Sequence, residues 1–339
     1  MGLIVIDGAD GGGQILRSAL TLSMITQQPF QITNIRGKRS NPGLGRQHLT
    51  CITAAANVCN GKAKGADLKS RELIFYPGQL QPGEHHIDIG TAGSTVLVAQ
   101  TLLPVLWSAG EPSTLHITGG THNRNAPTAD YFETVYLPAI QQLGIQVTVE
   151  LVRHGFEPKG GGEIRVQTSG QWKPQPTNFL ERGTLESQKI LVSLHGLDES
   201  IVQREIQAAV QVLGWDMSMG QIVAVKKARG AGNVVAIDVR FSKISEQTIG
   251  IGVRGVLAET VARDAATAMV QYLNSDAVVG KRLADQLQLP LALIGTGQMR
   301  MLPASNHFKT NARVIEAFTG KRFASEEQDN NTVLATVVI

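Results

Sequence analysis

The sequence predicts an α+β protein: a large domain of repeated strand–helix units interrupted by a small α/β domain. Three observations lead there. A rhythm of strand, helix, strand, helix, strand, strand passes about twice before residue 170. A stretch of different character, residues 182–275, interrupts it. The chain has 339 residues, too many for one ordinary core. The expected partition is therefore 1–181 with 276–339 as the large domain, and 182–275 as the insert.

Taken in order, LIVID is a short apolar strand that ends in glycine. Residues Gly13–Thr26 carry apolar side chains at helical spacing, and PFQITNI returns as a strand. KRSNPGLG is a loop by its Ser-Asn-Pro-Gly content, and Arg46–Cys59 is a second helix. LIFYPG and HHIDIG are strands, GTAGSTVLVAQTLLPVLW a loop and helix, TLHITGG a strand and ADYFETVYLPAIQQLG a helix. IQVTVELVRHGF and EIRVQT are strands joined by PKGGG. The insert holds ILVSLHG, a helix from Glu199 to Leu213, VVAIDVRF and a helix from Leu257 to Leu273. A helix, AVVGKRLADQL, and a strand and helix around ASNHFKTNARVIEAF then form a third, partial copy of the rhythm.

Hydrophobic content of 42% with 17% charged residues describes a globular chain rather than a disordered one. No apolar run is long enough to span a bilayer, so no membrane is expected. The opening MGLIVIDGADGGG has no basic leader, and Ile6 stands where a myristoylation signal wants Ser or Thr. Cys51 and Cys59 are the only cysteines, which points to a reducing, cytoplasmic setting without a disulfide framework. Net charge is only +3, but its distribution is uneven. From Gly11 to Ala66 there is no Asp or Glu, while Arg17, Arg36, Lys38, Arg39, Arg46, Lys62 and Lys64 are all present. Such a field attracts phosphates. Four of these cations flank a Gly/Pro loop rather than one helix face, which favours anion binding over a solvated surface.

Several motifs carry possible chemistry. In DGADGGGQILR, three glycines sit between a strand and a helix, where backbone N–H groups and the helix terminus favour an anion. No Lys-Ser or Lys-Thr follows, so it is not a Walker A loop, and a tight structural turn explains it equally well. In GTAGST, Ser94 and Thr95 fit helix capping better than phosphate binding. GIGVRG matches a dinucleotide pattern, but no convincing βαβ unit surrounds it. The histidines form no metal pattern. His48 sits beside the basic loop, and His307 sits in SNHFKTN before a helix; singly, each is compatible with a merely structural role.

Together these stretches say more. DGADGGGQILRSALTL, NIRGKRSNPGLGRQHLT, RHGFEPKGGGEI, LADQLQLP and ASNHFKTN, in this order, resemble the sequence blocks of RNA 3'-terminal phosphate cyclases. The resemblance runs nearly end to end. It implies a large domain of three βαβαββ-type units, with an insert of a four-stranded sheet and two helices. It also implies that ATP adenylates a histidine matching His307. AMP then passes to an RNA 3'-phosphate, and the 2'-hydroxyl closes a 2',3'-cyclic phosphate as AMP leaves.

The remaining site residues follow from the same resemblance. Arg17, Arg36 and Arg39 match phosphate-binding arginines, and Gln47 and His48 match polar site residues. Gln100 and Pro127 match positions lining the adenine pocket, and the LADQ block adds Leu283, Ala284, Asp285 and Gln286. Asp285 would orient His307 or approach a divalent metal, magnesium or manganese. Two departures stand out. Asp10, in a shorter loop, replaces the glutamate usual before GGGQ and is the expected metal-facing carboxylate. Arg282 replaces a tyrosine that stacks on adenine. The expected partner is RNA with a 3'-phosphate end, and a homo-oligomer stays open. Two other readings compete: a non-catalytic cyclase-like RNA-binding protein of ribosome assembly, and an enolpyruvyl transferase-like enzyme. The first would lack the nucleophile, and the second would use no ATP.

Overall fold

The computed structural model describes residues 2–339 and is a mixed α/β, α+β structure with four sheets. The chain opens with β1 (Ile4–Asp7), α1 (Gly13–Thr26), β2 (Phe30–Thr33), α2 (Arg46–Val58), β3 (Lys62–Lys64) and β4 (Leu73–Tyr76). Their sheet runs β1-β2-β4-β3, with β1 and β2 parallel and the other neighbours antiparallel. A parallel pair cannot close through a tight turn, and α1 supplies the crossover. Next come β5 (Glu84–Asp88), α3 (Thr95–Leu106), β6 (Ser113–Gly119), α4 (Ala129–Tyr131), a π-helical turn (Phe132–Tyr136), α5 (Leu137–Gln141), β7 (Val147–Arg153) and β8 (Gly162–Thr168). This sheet runs β5-β6-β8-β7, and its first pair is again parallel.

The third sheet is built from β9 (Leu185–His195), β10 (Gly220–Val223), β11 (Gly232–Phe241) and β12 (Ser245–Ile251), in the order β10-β9-β11-β12. Helices α6 (Ser200–Leu213) and α7 (Ala258–Leu273) belong to the same stretch. The chain ends with α8 (Lys281–Ile294), β13 (Gln298–Met301), α9 (Asn306–Thr319), β14 (Arg322–Gln328) and β15 (Thr332–Val338), whose sheet runs β13-β15-β14. No helix among the described residues is long and apolar enough to cross a membrane.

Strands β3, β10, β12 and β15 have no counterpart in the sequence pattern, and three further local differences have a plain physical reason. The helix expected over ADYFETVYLPAIQQLG is broken by the π-helical turn. Pro138, just after it, has no N–H to give the carbonyl four residues back. Residues Ala277–Val279 are not helical: the N–H groups of Val278 and Val279 both donate to the Arg300 carbonyl (2.8 and 3.0 Å), and Val279 bridges Met301. Strand β14 gave no sequence signal because most of its residues are exposed, so apolar and polar positions do not alternate.

Two apolar cores result. In one, Leu16 and Leu20 of α1 share the interior with Leu102 and Leu106 of α3, Leu287 and Leu291 of α8 and Ile315 of α9. The other gathers Val192, Val235, Ile237, Val261, Met269 and Tyr272. Each fully buried side chain of this kind contributes about 1.5–3 kcal/mol. Helix α1 lies against α2, α3 and α9, and α8 lies against α9. The amino ends of α1 and α9 and one side each of α3 and α8 thereby come to one place.

Where the chain enters and leaves the third sheet's stretch, Arg182 fastens the two crossings together. Its Nε donates to the Ala277 carbonyl (2.5 Å), and its Nη2 donates to the carbonyls of Tyr272 (2.6 Å) and Ser275 (2.8 Å). The guanidinium also lies 4.1 Å from the Tyr272 ring centre. Charge-assisted bonds of this kind are worth about 1.5–3 kcal/mol. Arg182→Ala should therefore lower stability to chemical denaturation by about 2–3 kcal/mol, with Arg182→Lys recovering only part because it lacks the planar fork. A change within about 0.5 kcal/mol, as at an ordinary surface position, would contradict this role.

Candidate active site

A cavity of about 680 Å³ opens where α1, α3, α8 and α9 meet the loops after β2 and β6. Its charge is lopsided. Arg17, Arg36, Arg39, Arg124, Lys281 and Arg282 line it, against a single carboxylate, Asp285. Arg17, Arg36 and Arg39 have no ion-pair partner among the described residues. Burial pulls the guanidinium pKa of Arg17 below its ordinary value, and burial and then the neighbouring Arg39 do the same for Arg36. Unpaired, partly desolvated cations are costly to hold together, and an incoming anion relieves that cost.

The glycine-rich turn makes this crowding possible. A Cβ on Gly13 would sit 2.4 Å from Nε2 of His48 and 2.9 Å from Nη1 of Arg17, so only glycine lets both side chains close over the start of α1. The Gly12 N–H donates to Oε1 of Gln14 (3.0 Å), so that one backbone donor is already engaged. Nε2 of Gln14 in turn donates to Oγ1 of Thr310 on α9 (2.9 Å). Arg36 holds a left-handed backbone (φ 54°), which costs a non-glycine residue about 1 kcal/mol. Its Nη1 donates to the Gly43 carbonyl (2.9 Å). Gly43 is itself left-handed (φ 82°), and a Cβ there would meet the Lys69 carbonyl oxygen at 2.3 Å.

Both candidate histidines line the cavity as neutral rings. Burial, then Arg17 and Arg36, pushes His48 down to about 3. Its Nδ1 accepts the Gly45 N–H (2.9 Å), which leaves the ring proton on Nε2 as a donor. The His307 pKa is lowered first by burial and then by Arg39 and Arg17. His307 stands in the first turn of α9, whose cap is Ser305. The Ser305 hydroxyl accepts the Phe308 N–H (2.9 Å) and donates to Oδ1 of Asp285 (2.6 Å). Asp285 therefore acts on His307 through the helix cap. Gln47 lines the cavity as well, its Oε1 accepting the Ser94 N–H (3.1 Å). Ser94 caps α3, its Oγ accepting the Leu97 N–H (3.2 Å).

Gln100, Pro127, Arg282 and Gln286 form another stretch of the wall. Nε2 of Gln100 and both amide atoms of Gln286 are buried without a hydrogen-bond partner. Unpaired buried amides are uncommon and call for a ligand or water. Nη1 of Arg282 donates to the Ala126 carbonyl (3.4 Å), and its guanidinium lies 5.5 Å from the Tyr131 ring centre.

Three expected residues are not brought to the cavity. Leu283 and Ala284 are buried in the core, because helical spacing turns Arg282, Asp285, Gln286 and Leu289 to the cavity and their neighbours away from it. Asp10 does not line the cavity either. It is exposed and paired with Nζ of Lys38 (2.5 Å) and, more loosely, Nη1 of Arg313 (3.9 Å). Lys38 holds its carboxyl below the ordinary value. The Asp10 backbone still serves the site, its carbonyl accepting from Nδ2 of Asn306 (3.0 Å) beside His307. GIGVRG lies at the turn from β12 to α7, away from the cavity.

Sequence reasoning gave no role to Ser18, Gln288, Asn311 or Ser305. Ser18 donates to Oδ1 of Asn311, whose Nδ2 donates to Oε1 of Gln288 (3.0 Å), whose Nε2 donates to the Phe308 carbonyl (3.0 Å). This ladder fixes α1, α8 and α9 against each other. Its only sequence signal is polar residues on otherwise apolar helix faces.

Asp285 yields a test by pH. Burial raises its carboxyl to about 6, with Ser305 and then Arg282 opposing. A raised carboxyl contributes stability below the unfolded value and loses it as pH rises through about 6. Asp285→Asn, which keeps an acceptor for Ser305, should be more stable than the parent by about 1 kcal/mol at neutral pH. The difference should close below about pH 4. Denaturation midpoints of both proteins across this range check it, and parallel pH profiles would contradict it.

A family model described as RNA 3'-terminal phosphate cyclase matches residues 9–325 of the 339. The match takes in the glycine-rich turn, the basic loop, both cavity-lining faces of α3 and α8, and His307. The chain belongs to the RNA 3'-terminal phosphate cyclase family.

Proposed function

We propose that the protein converts an RNA 3'-terminal phosphate to a 2',3'-cyclic phosphate at the expense of ATP, through a covalent His307–AMP intermediate. One observation carries the reading: the His307 imidazole, its pKa lowered by burial and then by Arg39 and Arg17, lines one cavity with arginines that have no ion-pair partner among the described residues. A neutral ring nitrogen is a competent nucleophile, and covalent catalysis divides one hard displacement into easier ones.

In the first step a His307 nitrogen attacks the α-phosphorus of ATP, and the bond to the bridging oxygen breaks, releasing pyrophosphate. Arg17, Arg36 and Arg39 suit the phosphate charge, since guanidinium forks bind such oxygens bidentately. Nε2–H of His48 is a further donor. In the second step an oxygen of the RNA 3'-phosphate attacks the same phosphorus, and the phosphorus–nitrogen bond breaks. The 2'-hydroxyl then attacks the RNA phosphorus, loses its proton, and AMP departs. The unpaired amides of Gln100 and Gln286 fit the mixed donors and acceptors of an adenine edge. A divalent metal, magnesium or manganese, would neutralise phosphate oxygens when bound. Asp285 is the cavity carboxylate able to approach it, and Asp10 would reach it only by giving up Lys38.

On the same reading, the two sheets of order first-second-fourth-third and the last, three-stranded one are copies of one βαβαββ unit. The last copy has lost its first strand, whose place Val279 takes by bridging Met301 in parallel. Residues 182–275 are then the insert. Free, buried Cys51 and Cys59 suit a reducing, cytoplasmic setting.

RNA with a 3'-phosphate should be cyclised in the presence of ATP, while the same RNA with a 3'-hydroxyl should not. A 2'-deoxy terminal sugar should halt the reaction at the adenylated end; cyclic product from that RNA would sink the last step. Arg39→Ala should weaken the adenylation transition state by about 1.5–3 kcal/mol, read from kcat/KM. Arg39→Lys should restore only part of it. Full activity in the alanine variant would remove Arg39 from the site.

A further inference from the structure

The outward face of the second sheet carries three metal-ligating side chains that the chemistry above does not use. Glu84 and His86 are two positions apart on β5 and so share a face. His116 on β6 is the in-register partner of His86 across the parallel pair. Nε2 of His86 and Nε2 of His116 each lie 3.1 Å from the same carboxylate atom, Oε1 of Glu84. The two imidazole rings are stacked, 12° from parallel with centroids 4.6 Å apart, and both turn the same nitrogen toward the Glu84 carboxylate. All three ligand atoms fall within 4.8 Å of one another. A tetrahedral ion with bonds of about 2.0–2.1 Å holds its ligand atoms about 3.3 Å apart, and two edges of such a figure already stand near that length. The neighbouring strand sets Arg165 opposite His116, but that guanidinium donates to Oε2 of Glu150 (2.5 Å) and its charge is matched there. None of the three residues lines the cavity.

We propose that Glu84, His86 and His116 bind one transition-metal ion of the zinc class on the outer face of the second sheet. Two imidazole nitrogens and one carboxylate oxygen suit zinc, nickel or copper, whereas magnesium asks for an octahedron of oxygens. This ion is distinct from the metal proposed at the phosphates. It ties β5 to β6, and three protein ligands leave it one further position for water or another donor.

Titration of the full-length protein with zinc, in excess magnesium and followed by calorimetry, tests the proposal. The parent should take up one zinc ion per chain. His86→Ala and His116→Ala should each weaken that binding by more than about tenfold, and the double variant should remove it. Circular dichroism should show the fold unchanged, since the substituted side chains lie on the outer face of the sheet. His307→Ala should bind zinc as the parent does. Absence of zinc uptake by the parent, or uptake that survives in the double variant, would overturn the assignment.

Discussion

The constraint on which this structure turns is electrostatic: Arg17, Arg36 and Arg39 converge on one cavity, and among the described residues no carboxylate is paired with any of them. Stability alone would not select such an arrangement, because desolvated like charges repel one another. Much of the local structure follows from it. Gly13 must lack a side chain so that Arg17 and His48 can approach. His48 and His307 are held neutral by burial and by these charges. Both rings are thereby shifted toward the free base.

The scaffold around this cluster is correspondingly rigid. Arg36 is held in a left-handed conformation and tied to Gly43, whose own left-handed turn no other residue could fill. The ladder from Ser18 through Asn311 and Gln288 to the Phe308 carbonyl locks three helices by their polar groups. Ser305 joins the α9 cap to Asp285, so the carboxylate positions the helix turn that bears His307. Preorganisation of this kind fixes donors before charge develops, which is where most electrostatic catalysis originates.

The parts of the molecule that were legible in the sequence are those whose signal is local. The apolar spacing of Gly13–Thr26 marks α1 at its observed limits. The acid-free stretch from Gly11 to Ala66 announces the cation cluster before any fold is known. His307 alone was ambiguous, and only its place among five ordered blocks gave it a role. What stayed hidden depends on side-chain direction and on distant partners. Leu283 and Ala284 share a block with Arg282 and Asp285, yet helical geometry turns them into the core. Asp10 sits beside the glycines in sequence, but Lys38 and Arg313 draw its side chain outside the cavity. Strand β14 is so exposed that no periodicity could reveal it.

The central claim is that the neutral imidazole of His307 accepts AMP. Incubation with α-labelled ATP and magnesium, followed by peptide mapping of the denatured protein, tests it most directly. The account predicts label on the peptide containing residue 307, lost in acid and kept in alkali as a phosphorus–nitrogen bond requires, and absent from a folded His307→Ala variant. Label on another residue, or an adduct of undiminished yield in that variant, would contradict it.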